Sequence, residues 1–179
     1  MQVIMSTMQP IISRFEITNS LHFDTDEPSC ATMFDLLSSP EYGIPDSAFT
    51  ASSEWTTYLA NASRLTTNDT WAPAITVGAW IRADLGETRL VMAIRTGGRA
   101  AVYITQYEIA TSMNGVDWAD VVDNEGSTVV FEGNNDGSTI VSNLLPTPIE
   151  TRHVQLTIVS FEWYPELRWA VDGCPVPTD

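Results

Sequence analysis

Apolar and polar residues alternate with a period of two in several separate stretches of this chain. In residues 80–85, Ile81, Ala83 and Leu85 point one way and Arg82 and Asp84 the other, which predicts a half-buried strand. Residues 103–111 are rich in β-branched and aromatic types that suit a pleated surface. Asn114-Gly115 follows directly and is a strong hairpin signal, with Trp118 opening the return strand. Residues 127–132 predict another strand, ended by the turn-rich GNNDGS. Residues 153–159 place Val154, Leu156 and Ile158 on one face, and residues 167–172 predict a last strand. No stretch sustains a capped helical period. Short strands separated by turns predict an all-β sandwich or barrel.

The 179 residues suffice for one domain with a full core, and 44% are hydrophobic. Three zones emerge. Residues 1–29 form an extension, 30–174 the domain and 175–179 a short tail. In the extension, Ile11 to Phe23 show some alternation. It does not read as a signal peptide, because it has no basic start and Pro10, Arg14 and Glu16 interrupt its apolar residues.

Charge narrows the partners. There are 23 acidic against 8 basic residues, a net charge of -15, and all the basic residues are Arg. Such a chain is repelled by nucleic-acid phosphates and disfavoured at anionic membranes. The acidity serves solubility or attracts cations, calcium among them. The two cysteines, Cys30 and Cys174, bracket the patterned region. A disulfide between them would join the domain's ends, contribute about 5 kcal/mol by chain entropy and point to an oxidising compartment. The alternative is a pair of buried thiols. Two sequons, at Asn61 and Asn68, are candidate glycosylation sites.

Catalysis finds little footing. The histidines are His22, in the extension, and His153, between apolar residues of a strand. No G-x-S-x-G, HExxH, phosphate-binding glycine loop, EF-hand or zinc-type cluster occurs. The chain therefore reads as a binding protein rather than an enzyme.

From Cys30 to Cys174 the sequence resembles the discoidin family, the type C domain of coagulation factors five and eight. An ordered series of motifs carries the resemblance: GIPDSAFTASS at 43–53, Ser63-Arg64-Leu65, Trp71-Ala72-Pro73, WIRADLG at 80–86 and IRTGGR at 94–99. YITQY at 103–107, SMNGVDW at 112–118, FEGNND at 131–136, PIETRHV at 148–154, Leu167-Arg168 and Gly173-Cys174 follow. Three positions depart from the family pattern: Arg82 replaces a usual Gln, Gly97 a Gln, and His153 a common Tyr.

The resemblance implies an eight-stranded jelly-roll β-sandwich whose ends the disulfide joins, with a binding face of loops at the opposite end. Carried over, the first loop runs from Glu54 to Ala60 with Trp55 and Tyr58 projecting. The second holds Thr67-Asn68-Asp69, the third Gly98-Arg99-Ala100-Ala101, and a fourth Glu162-Trp163-Tyr164-Pro165. Trp71, Trp80 and Trp118 fall on family core positions. Arg64, Arg152 and Arg168 read as internal hydrogen-bond or ion-pair partners.

Trp55, Tyr58, Asn68, Asp69 and Arg99 combine an aromatic platform with groups that take sugar hydroxyls, and Trp163 and Tyr164 are further contact candidates. Carbohydrate recognition by a secreted or particle-surface adhesion module is the leading expectation. Many sugar-binding relatives hold a structural calcium, and Asn68-Asp69-Thr70 offers hard oxygen ligands for one. No cofactor is required, and the metal is left open. A second expectation is an assembly protein, a homo-oligomer or part of a larger particle, that makes protein contacts through residues 1–29 and the loops. Phospholipid or collagen-type matrix binding is the third; lipid-binding members use a basic collar that this chain lacks.

Overall fold

A computed structural model describes residues 30–176. Its strands are β1 (Phe34–Asp35), β2 (Phe49–Ala51), β3 (Trp80–Gly97), β4 (Tyr103–Ser112), β5 (Ala119–Asp120), β6 (Val130–Glu132), β7 (Val141–Glu162) and β8 (Arg168–Pro175). Short 3-10 turns at Asp46–Ala48 and Ala60–Ala62 flank the first loop region. Every strand pairing is antiparallel, in the order β1-β8-β3-β7-β4-β5, with β2 on β3 and β6 on β4. The eight strands match the expected all-β architecture.

The sandwich arises because β3 and β7 each serve both halves. The first part of β3 pairs with β2 and the end of β7; the second part pairs with β8 and the start of β7. Two irregularities divide the parts. Leu85 to Thr88 stand opposite Arg152 alone, and Leu145 to Pro148 stand opposite Met92 alone. Bulges of this kind bend a strand and raise its twist. Gly86 supplies the left-handed backbone at the first, with φ +80°. Pro146 and Pro148 fall in the second, where no ladder N–H is needed. One core then collects Ile81, Ala83 and Leu85 from the first part of β3 and Val91 and Ile94 from the second.

The strand alternation read from the sequence corresponds to burial. Ile81, Ala83 and Leu85 are buried, as are Val154, Leu156 and Ile158. The boundaries differ. β3 and β7 run well beyond the predicted 80–85 and 153–159, because their continuations are buried on both sides or broken by bulges and so lose the alternation. Only Val130–Glu132 of the predicted 127–132 is strand; Asp123 holds Ser127 in a turn through its backbone and carboxylate. Asn114-Gly115 does lie between β4 and β5, in a wider loop. The Asn114 side-chain oxygen accepts from the N–H groups of Val116 and Asp117, both at 2.9 Å, and Gly115 takes φ +72°. Trp118 consequently stands just before the return strand.

The tryptophans divide differently from expectation. Trp71 is fully buried, and so is Trp169, whose indole N–H donates to Ser63 Oγ at 3.0 Å. Trp80 and Trp118 are half-buried outside the core cluster and flank Arg82. Cys30 and Cys174 form a disulfide that spans 144 residues, with Cα atoms 5.7 Å apart. The expectations for residues 1–29, including pairing by Ile11 to Phe23, lie outside the described residues, as does the end of the tail.

Candidate functional site

The first loop is built on its own backbone. Trp55 N–H donates to Ala72 at 2.8 Å, Tyr58 N–H to Trp55 at 2.6 Å, and Ala72 N–H to Tyr58 at 3.2 Å. This ties a tight turn to the chain beside Trp71, which the core immobilises. Glu54 closes the turn from below by accepting from the Ala60 N–H at 2.7 Å. Trp55 is held outward, 51% exposed, while Tyr58 is half-buried.

The opposite wall comes from the chain between β7 and β8. Paired backbone hydrogen bonds between Trp71 and Leu167, each 2.9 Å, fix its height. The Tyr164 hydroxyl donates to the Pro73 carbonyl, and the Tyr164 ring meets Trp55 edge-on at 6.4 Å. Trp55, Tyr58, Ala72, Tyr164 and Glu166 together line a pocket of about 240 Å³.

Arg99 closes the polar end. Its Nε donates to Glu166 Oε2 at 2.8 Å and its Nη2 to Glu166 Oε1 at 3.1 Å, a bidentate fork. The same Nη2 reaches the Tyr58 hydroxyl at 2.8 Å, and the guanidinium lies 4.9 Å from the Tyr58 ring centre. Glu166 is buried and also accepts from the Thr70 hydroxyl at 2.7 Å. The carboxylate of Glu166 and the hydroxyl of Tyr58 push the Arg99 pKa up, so its positive charge is permanent.

Close backbone contacts hold Arg99 in place. Arg99 and Val102 exchange backbone hydrogen bonds at 3.0 Å around Ala100, which takes φ 53°. Gly137 packs against Ala100 so closely that a Cβ there would stand 1.8 Å from the Ala100 carbonyl oxygen. Arg168 joins two loops by donating to the carbonyls of Gly98, at 3.0 and 3.2 Å, and Thr67, at 3.1 Å. Arg64 similarly donates to the carbonyls of Leu37 and Ile44 and to Asp46.

Of the residues singled out in the sequence, Trp55, Tyr58 and Tyr164 line one pocket and Arg99 bonds to its wall. Asn68 and Asp69 are exposed and do not line it. Trp163 is 80% exposed, with φ 57°, and is not part of the lining. Sequence reasoning missed Glu166 and the bond that Thr70 makes to it. The only cue was a carboxylate set between Pro165 and Leu167, and its burial is a tertiary property. Asn61 is half-buried, and Asn68 is the more accessible sequon.

Asn68 and Asp69, named in the calcium expectation, are exposed, and Thr70 is buried. Asp69 brings one carboxylate, while the Thr70 hydroxyl is committed to Glu166. Among the described residues, no three His, Cys, Asp or Glu side chains converge to hold a metal. His153 lies 3.8 Å from Asp84 and edge-on to Trp118, away from the loop pocket.

Comparisons place this geometry in a wider group. A family model for the F5/8 type C domain matches residues 48–171. Human neuropilin-1 is 33% identical over 143 residues, covering 74% of this chain and 15% of neuropilin-1. Mouse lactadherin is 30% identical over 171 residues, covering 81% of this chain and 37% of lactadherin. The chain thus spans well under half of either relative. Discoidin II of Dictyostelium discoideum shares the fold with TM-score 0.63 and 20% identity, over 72% of this chain and 56% of discoidin II. So does the Clostridium perfringens module CpGH89CBM32-5, solved with GalNAc-β-1,3-galactose, with TM-score 0.56 and 20% identity over 71% of this chain and 96% of the module. The motifs, the antiparallel sandwich and the family match agree: this chain belongs to the F5/8 type C domain family.

Proposed function

We propose that this chain is a non-catalytic, extracellular carbohydrate-binding module whose site is the pocket between Trp55 and Tyr164. One observation carries the reading: an outward-held indole beside a fixed arginine–carboxylate pair. A sugar presents a C–H face that packs on an aromatic ring and hydroxyls that need rigid donors and acceptors. Trp55 offers the first, and Arg99, Glu166 and Tyr58 offer the second. The ion pair is held by Thr70, Tyr58 and the Arg99–Val102 backbone bonds, so little ordering entropy is lost on binding.

Two further observations support it. Fold neighbours include a module solved with a galactose-containing disaccharide and a chitosan-binding module. The Cys30–Cys174 disulfide suits an oxidising compartment. The pocket needs no metal for this role. A glycan array probed with the folded chain, with and without calcium, tests the reading. Hits that Trp55→Ala abolishes and calcium does not change are expected; no hits, or hits indifferent to Trp55→Ala, would overturn it.

A further inference from the structure

A second pocket of about 260 Å³ lies on strands β2, β3 and β7 and shares no residue with the loop pocket. Ser47, Thr50, Arg82, Asp84, Trp118 and His153 are among its lining residues. Arg82 is its central feature. The guanidinium carbon stands 3.9 Å from the Trp80 ring centre and 4.3 Å from that of Trp118. Its Nε donates to Gln155 Oε1 at 2.7 Å, and Gln155 is in turn held by Thr157 at 2.9 Å. Both terminal nitrogens lack an acceptor among the described residues and are not sealed from solvent.

The neighbouring carboxylate does not neutralise Arg82. Asp84 is occupied by Arg152, at 2.8 and 2.9 Å, and by the Gly86 N–H at 2.9 Å. The other described arginines each pair with a carboxylate or, like Arg168, place all three nitrogens on carbonyls. Among the described residues Arg82 therefore has no carboxylate partner, on a chain of net charge -15. It is aligned by two indoles and a glutamine, and it lines the pocket. A planar guanidinium fork matches a carboxylate. The hydroxyls of Ser47 and Thr50 and the apolar surface of Trp118 extend the match to a sugar ring. Remote acidic residues are screened beyond about 8 Å at physiological ionic strength, so the local charge decides.

We infer that this pocket is a second binding site, for the carboxylate of an acidic sugar held by Arg82 beside Trp118. The inference stands apart from the loop pocket. Tryptophan indole N–H signals of the full chain are followed by NMR while sodium glucuronate, glucose or sodium acetate is added at matched ionic strength. Glucuronate is expected to shift the Trp80 and Trp118 signals saturably, and glucose is not. Arg82→Gln should weaken the response at least tenfold, and Trp55→Ala should leave it unchanged. Arg82→Met keeps an apolar stem between the indoles and serves as a second variant should the first fold poorly. No saturable shift, or a shift that survives loss of Arg82, would overturn the site. An acetate response of equal affinity would overturn the sugar assignment.

Discussion

Arg99 and Glu166, 67 residues apart in sequence, meet in a two-point ion pair with Nε–Oε2 2.8 Å and Nη2–Oε1 3.1 Å. The pair joins the loop after β3 to the chain entering β8. It also sets the polar end of the Trp55–Tyr164 pocket, because Tyr58 bonds to the same guanidinium. Its two members differ in setting: the Arg99 side chain is 42% exposed and that of Glu166 only 11%.

That asymmetry fixes the outcome of breaking the pair. Arg99→Ala leaves a buried carboxylate supported by Thr70 alone. The cost for a fully buried pair is about 3–5 kcal/mol. Solvent screening at the exposed Arg99 reduces it to about 1–2 kcal/mol. Urea unfolding should show a lower midpoint with unchanged slope, together with weaker glycan binding.

Trp55→Ala should separate binding from stability. Half of the ring already faces water, and the loop is held by backbone bonds and Glu54 rather than by the indole. Ligand binding is expected to fall by tenfold or more while the melting temperature moves by only a few degrees, about 1 kcal/mol or less. Calorimetry of binding and thermal unfolding on one preparation checks both. A stability loss in proportion to the binding loss would mean that the ring is structural.

Gly137→Ala probes the mounting of Arg99. The new Cβ would meet the Ala100 carbonyl oxygen, a backbone atom that cannot rotate away. The loop must shift, at about 1–3 kcal/mol by analogy with overpacking. Arg99 moves with it, so binding and thermal stability should decline together. This contrasts with Trp55→Ala, and comparison of the two variants tests whether Arg99 needs its exact position.

Breaking the Cys30–Cys174 bond should lower stability by about 2–5 kcal/mol. The bond closes almost the whole described chain and joins the start of the fold to the end of β8. Denaturant curves with and without reductant measure the loss. Non-reducing mass spectrometry that finds two free thiols would count against an oxidising compartment.

Acid titration should reveal a particular turn. The Asp136 carboxylate accepts from the N–H groups of Ser138 and Thr139, at 2.7 and 2.6 Å. These bonds, that of Thr139 foremost, bring its pKa down to about 2 from an ordinary 3.8. A depressed carboxyl contributes stability above its unfolded value, and that contribution is lost as pH falls from about 3.8 towards 2. Asp84 behaves in the same sense through Arg152. Asp35 opposes them, since burial raises its pKa and favours its protonated form on acidification. Carboxyl NMR should place the Asp136 midpoint near 2, and Asp136→Ala should abolish the ordered turn.

By itself, the sequence determined the class of fold and much of its inner face. Period-two alternation marks Ile81, Ala83, Leu85, Val154, Leu156 and Ile158 because a sheet with one wet face must sort its side chains. Ordered motifs between the cysteines marked the family and the loops that carry Trp55, Tyr58, Arg99 and Tyr164. Tertiary structure decided what period-two logic cannot express. The strand ends were hidden because both strands cross bulges and the second part of β3 is buried on both sides. Glu166 became part of the pocket, and Asn68, Asp69 and Trp163 fell outside its lining, because direction in a loop depends on distant backbone partners. Arg82 acquired its setting only when Trp118 and Gln155, from two distant parts of the chain, joined Trp80, its neighbour on β3. Local patterns report which face a residue takes; long-range contacts decide what it meets there.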